Sequence, residues 1–184
     1  MPNPELAVAA RKSPNSLPFD LPDRSAEYAA IVARVQEALG DVQDRQFVGV
    51  AVLLHGRCFL ETAELPKGMN KGTPTLCHDN ARRVALRRPE EYAYAEGFAR
   101  PRALGSDSPR LCHSWLVDTE GRVVDRTWDD GEEYDGVVVP YESLREVAEF
   151  ARRKRASLGF VTDWEGRRLL ERMGTTVEEL LRRA

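Results

Sequence analysis

The stretch Cys112-His113-Ser114-Trp115-Leu116-Val117-Asp118-Thr119-Glu120-Gly121-Arg122-Val123-Val124-Asp125-Arg126-Thr127-Trp128 reads as a β-hairpin. Its arms, Cys112–Asp118 and Arg122–Trp128, are rich in β-branched and aromatic residues. Thr119-Glu120-Gly121 makes a three-residue turn, with Gly where the backbone wants positive φ. That loop sets Asp118 against Arg122, Trp115 against Asp125 and His113 against Thr127. His113 and Asp125 then share a face as diagonal neighbours, with Cβ atoms about 7 Å apart, within reach of a side-chain hydrogen bond. An aspartate so placed orients the imidazole through one ring nitrogen and leaves the other for a thiol. A slip of one residue would part them.

Upstream, Tyr92–Ala99 alternates and predicts a strand, followed by a polar loop over Arg100–Pro109. Before it, Leu76–Arg88 predicts a helix with Thr75 as N-cap and Pro89 beyond its end. The chain enters that helix from a dense loop, Pro66 to Pro74. Further back, Phe47–Leu54 reads as a strand broken by His55-Gly56, with Cys58–Thr62 as its return strand. Ser25–Leu39 places Tyr28, Ile31, Val32, Val35 and Leu39 on one helical face, and Gly40 stops it. Downstream come an acidic loop, a strand at Gly136–Val139, and helices at Tyr141–Lys154, Trp164–Met173 and Thr175–Arg183. The last opens with the capping-box pattern Thr175-Thr176-Val177-Glu178. Antiparallel strands with helices at either end predict an α+β fold rather than a doubly wound sheet. Residues 1–21, with Pro2, Pro4, Pro14 and Pro18, read as a flexible arm, and 22–184 as a single domain.

Composition narrows the function. A chain of 184 residues, 42% hydrophobic and 31% charged, buries a core without staples. The net charge of -3 gives no footprint for nucleic acid or an anionic membrane. Arg far exceeds Lys, as a GC-rich genome dictates. Cys58, Cys77 and Cys112 form no CxxC spacing, which argues against a disulfide framework and against a zinc site. A reducing, cytoplasmic setting is expected, with no targeting segment and no membrane span.

Cys77 carries the chemistry. It stands in the first turn of a helix entered from a Gly/Pro loop, where unpaired N–H groups and the positive end of the helix dipole favour a thiolate. Cys58 and Cys112 read as core. His78 sits 100° around the helix from Cys77 and reads as a poor base, and His55 as a turn residue. Glu96, a glutamate inside an apolar strand, needs a partner if buried; it lies near the site or binds an arginine. Trp115 packs in the hairpin, and Trp128 is a candidate wall of a substrate cleft. Asp129-Asp130-Gly131-Glu132-Glu133 reads as a solvated acidic loop. The cluster Arg152-Arg153-Lys154-Arg155 ends a helix where cations are favoured, and no aromatic platform accompanies it for nucleic acid.

The runs Cys77-His78-Asp79-Asn80-Ala81, Tyr94-Ala95-Glu96-Gly97-Phe98-Ala99, His113-Ser114-Trp115-Leu116-Val117-Asp118 and Asp125-Arg126-Thr127-Trp128 together resemble the core of the transglutaminase-like superfamily, related to papain-like cysteine proteases. The resemblance spans about Leu76 to Pro140, a little over a third of the chain. It implies Cys77 as nucleophile, His113 as general base and then acid, and Asp125 as orienter. It also implies cysteine-dependent acyl transfer through a thioester: hydrolysis of an amide or ester, or transamidation. The implied partner is a peptide, protein or small acyl substrate, with no metal and no organic cofactor. Ser114 stands where Ala is usual, and Arg126 where Pro is usual. No Gln lies between Gln46 and Cys77 to serve as oxyanion donor. That leaves the backbone N–H of Cys77, with Asn70 or Thr75. The missing Gln also supports a rival reading, an inactive member of the fold serving as a protein-binding module. The oligomeric state is not legible in the sequence.

Overall fold

Strand Tyr92–Pro101 has the alternation that fills both faces of a sheet, and it runs through the middle of one. The structure, a computed structural model, describes residues 56–105, 108, 110–154, 159–161 and 164–182. The strands are β1 (Arg57–Phe59), β2 (Tyr92–Pro101), β3 (Leu111–Asp118), β4 (Val123–Val124) and β5 (Gly131–Val139). They form a sheet of order β1-β5-β2-β3-β4 in which the named strand pairs are antiparallel. The helices are α1 (Cys77–Arg87), α2 (Tyr141–Lys154), α3 (Trp164–Arg172) and α4 (Val177–Arg182). The fold is α+β, as the sequence predicts.

Side chains alternate across this sheet. One face carries Cys58, Tyr92, Tyr94, Leu116, Val137 and Val139 into a core shared with Ala81 and Ala85 of α1 and Leu144 and Val147 of α2. The other carries Phe59, Ala93, Ala95, Trp115, Val117, Tyr134 and Val138, with Trp128 packed against them. Phe59 and Trp115 meet edge to face at 5.6 Å, and Trp115 and Tyr134 at 5.1 Å, the geometry that ring quadrupoles prefer.

The hairpin register is the expected one. Leu116 pairs with Val124 and Val117 with Val123, and the Arg122 carbonyl accepts from the Asp118 N–H at 3.0 Å. Gly121 takes φ of 82°. The second arm, expected to run to Trp128, ends at Val124. There Asp125 turns its carboxylate back onto the N–H groups of Thr127 and Trp128, a local bond that competes with the ladder.

Other boundaries differ for equally local reasons. Helix α1 begins at Cys77 with Leu76 in the N-cap position and no side-chain cap. Thr75, expected as the cap, instead has φ of 68° and turns the chain into the helix. The return strand expected over Cys58–Thr62 is the shorter β1, and its described partner is β5. The capping box of α4 lies one residue later than expected. The Glu179 N–H donates to the Thr176 hydroxyl at 3.1 Å, and the Thr176 N–H to the Glu179 carboxylate at 3.0 Å. The acidic run is not a free loop: Gly131, Glu132 and Glu133 belong to β5, and both glutamates pair with Arg100. Cys112, expected in the core, is exposed, because β4 covers only the far half of β3. The arm 1–21, the helix at 25–39, the strand at 47–54 and His55 lie outside the described residues. Among the described residues no helix is long and apolar enough to cross a membrane.

Gly97 and Gly136 face each other across β2 and β5. A Cβ on Gly136 would lie 2.4 Å from the Glu96 carbonyl oxygen and 2.6 Å from the Trp115 ring, so neither strand has room for one. Gly136→Ala is expected to cost about 1–3 kcal/mol of stability through overpacking. Thermal unfolding followed by circular dichroism checks this; an unchanged midpoint contradicts the close approach.

Candidate active site

Asp125 sits where β4 ends, with its side chain 6% exposed. Its Oδ2 lies 2.7 Å from His113 Nε2 and accepts the Tyr134 hydroxyl at 2.7 Å. Its Oδ1 accepts the N–H of Thr127 at 2.7 Å and of Trp128 at 3.1 Å. Burial alone would raise this carboxyl's pKa. The bonds from His113, Thr127 and Tyr134 and the charge on His113 outweigh it and hold Asp125 below the ordinary aspartate value. Burial and the neighbouring carboxylate keep the Tyr134 phenol protonated, so it remains a donor.

The imidazole of His113 is fixed on all sides. Its residue is 1% exposed, and the Trp128 ring stacks flat on it, 3.6 Å between centroids and 2° between planes. With Nε2 committed to Asp125, Nδ1 is the nitrogen left for a thiol. His113 lies close enough to Cys77 for each to favour the other's charged form. Burial would lower the His113 pKa, but Asp125 and Cys77 outweigh it and raise it above the ordinary value.

Cys77 opens α1, at the helix end where the first-turn N–H groups are unpaired and the dipole is positive. Burial pushes the thiol up. Hydrogen bonds to His113 and His78, and the positive charge those rings carry, pull it down further, to about 5 from 9.0. A thiolate–imidazolium pair is thus the resting state from about pH 5 upward until His113 loses its proton.

The loop ahead of Cys77 is tied to the loop after Asp125. Arg126 donates from Nε and Nη2 to the Asn70 carbonyl at 2.9 and 2.7 Å, and from Nη1 to the Asn80 carbonyl at 2.9 Å. Gly72 N–H donates to the Arg126 carbonyl at 2.7 Å. The Asn80 amide reaches both the Thr73 carbonyl at 2.8 Å and the Thr127 hydroxyl at 2.9 Å. These bonds fix Cys77 and Asp125 relative to one another through the backbone.

The structure therefore brings together Cys77, His113 and Asp125. Trp128, expected as a cleft wall, stacks on the imidazole and also lines a pocket beside Asp125 and Tyr134. Asn70 and Thr75 are exposed; Asn70 contributes its carbonyl to the Arg126 anchor. Glu96 is fully buried and accepts the Tyr94 hydroxyl at 2.6 Å and the N–H groups of Phe160 and Val161 at 2.8 and 2.9 Å.

Sequence reasoning missed three contributors. His78 was read as a poor base; its ring nonetheless favours the Cys77 thiolate and is held at Nδ1 by the Tyr94 hydroxyl at 3.0 Å. Tyr134 gave no local signal, because only the pairing of β5 with β2 brings it to Asp125. Tyr94 did give one, since it shares a strand face with Glu96 two residues on. Among the described residues no group of three or more His, Cys, Asp or Glu side chains is arranged to hold a metal ion.

No family model, curated protein or solved structure matches this chain.

The thiolate is directly measurable. Alkylation of Cys77 by iodoacetamide, followed by peptide mass mapping, is expected to rise through a midpoint near pH 5 and then level off. An ordinary thiol would rise at about pH 8.5 instead, and that result would remove the ion pair.

Proposed function

We propose that this chain is a cysteine-dependent acyl-transfer enzyme with a papain-like or transglutaminase-like core. The reading rests above all on one observation: His113 bonds Asp125 through Nε2 at 2.7 Å, and it is the imidazole that favours the thiolate of the helix-opening Cys77.

The chemistry follows from that order. The Cys77 thiolate attacks the carbonyl carbon of an amide or ester, and the carbonyl π electrons move to oxygen. The backbone N–H groups at the start of α1, which no side chain caps, are the donors for that oxyanion. As the C–N or C–O bond breaks, His113 gives its proton to the departing amine or alcohol, leaving a thioester on Cys77. An acceptor, water or an amine, then attacks the thioester. Its proton passes to His113, and the C–S electron pair returns to sulfur. Water makes the protein a hydrolase, and an amine makes it a transferase. Asp125 holds the imidazole upright through both halves and stabilises its positive form.

Intact-protein mass spectrometry after incubation with small acyl esters and peptides tests this. A mass increase equal to the acyl group is expected on the wild type and not on Cys77→Ala. Asp125→Asn is expected to slow acylation by about 100-fold or more, the usual worth of an oriented general base. Turnover that survives in Cys77→Ala would exclude the thioester route. A protein-binding module would give no adduct with any donor and Cys77 no more reactive than Cys112.

A further inference from the structure

The Cys77 sulfur has a second imidazole neighbour that the steps above leave idle. His78 follows Cys77 in the first turn of α1 and favours its thiolate, and its Nδ1 lies 3.0 Å from the Tyr94 hydroxyl. A phenol has a single proton, and Tyr94 gives it to Glu96 Oε1 across 2.6 Å. Toward His78 the phenol oxygen can only accept, so Nδ1 carries a hydrogen. Glu96 in turn is 0% exposed. Its two oxygens also take the N–H of Phe160 at 2.8 and 2.9 Å and of Val161 at 2.9 Å.

The backbone ahead of α3 closes over this chain. A Cβ on Gly159 would lie 2.4 Å from His78 Cε1 and 2.9 Å from Glu96 Oε2. Only a residue without a side chain lets the main chain lie there. Two rings thus favour the Cys77 thiolate, each backed by a carboxylate. Asp125 acts on His113 directly, and Glu96 acts on His78 through Tyr94. The other charges nearby are the buried Arg82, paired with Asp79 on the same helix and lying 5.5 Å over the Phe160 ring.

We propose that His78 is a second catalytic imidazole, whose Nδ1 proton is fixed by the Tyr94–Glu96 relay and whose ring stabilises the sulfur as thiolate alongside His113, at rest and again as the thioester breaks. The proposal rests on the thioester reading given above. After acylation His113 has lost its proton to the leaving group. When the acceptor attacks, its proton goes to His113 and the C–S electron pair returns to sulfur. The His78 imidazolium then donates a hydrogen bond to that departing thiolate. It keeps both of its protons throughout, so the step balances without it.

Tyr94→Phe removes the phenolic oxygen alone and leaves Glu96 its backbone donors. The alkylation midpoint of Cys77 is expected to rise by about 0.5–1 pH unit in this variant, a three- to tenfold loss of thiolate at low pH. His78→Gln is expected to raise it at least as far. The double variant should go no further than His78→Gln, because both changes act through one ring. Profiles of the two single variants that superimpose on the wild type overturn the proposal.

A measurement on the unaltered chain guards against misfolded variants. Blocking Cys77 with methyl methanethiosulfonate is expected to lower the titration midpoint of the His78 Cε1 proton in NMR, since the thiolate partner is gone; an unmoved midpoint also overturns the proposal. A wild-type Cys77 that titrates as an ordinary thiol overturns the thioester reading and this proposal together. A low wild-type midpoint with unresponsive His78 and Tyr94 variants overturns this proposal alone.

Discussion

A carboxylate held almost out of water at the end of a hairpin is the constraint on which the site depends. Charge in such a place is costly unless every lone pair is met. Asp125 meets that demand with an imidazole, a phenol and two backbone N–H groups. Those partners do more than neutralise it. They stop β4 after two residues and select Nε2 of His113 as the bonded nitrogen, which leaves Nδ1 free of the carboxylate. Trp128, stacked on the ring, removes the remaining rotational freedom. Much of the geometry around His113 follows from satisfying one negative charge.

Glu96 poses the same demand on the opposite face of the sheet. Its donors come from Tyr94 on its own strand and from the segment at Phe160–Val161. The C-terminal part of the chain is thereby tied to the centre of the sheet by a buried carboxylate as well as by apolar packing. Breaking one member of such a network leaves the others unpaired in low dielectric, which is why buried polar networks are either complete or harmful. Cys77 answers to both networks, since His113 and His78 each favour its thiolate.

Arg126 has a function of its own. Its guanidinium gathers the carbonyls of Asn70 and Asn80, so the loop that leads into Cys77 is anchored to the loop that follows Asp125. Arginine suits this, with several donors in a rigid planar fork. The acidic run after Asp129 is likewise absorbed by structure. Arg100 and Arg110 pair with Glu132, Glu133 and Asp135, which turns an apparent charge repulsion into cross-strand contacts along β5.

The sequence by itself determined whatever rests on short-range rules. The Thr119–Gly121 turn fixed the register of β3 and β4, and register fixed the shared face of His113 and Asp125. The break at Pro66–Pro74 and the apolar spacing after it placed Cys77 at a helix start. Helix α2 matched its periodicity to the residue. Tertiary structure decided what depends on distant partners. Tyr134 reaches Asp125 only because β5 pairs with β2. Glu96 finds its donors 64 and 65 residues away, and Arg126 ties together loops 56 residues apart. His78 is held at Nδ1 by the hydroxyl of Tyr94, from another element. Periodicity encodes which face a residue takes; which groups meet there is set by strand order and loop closure, and no local pattern carries that information.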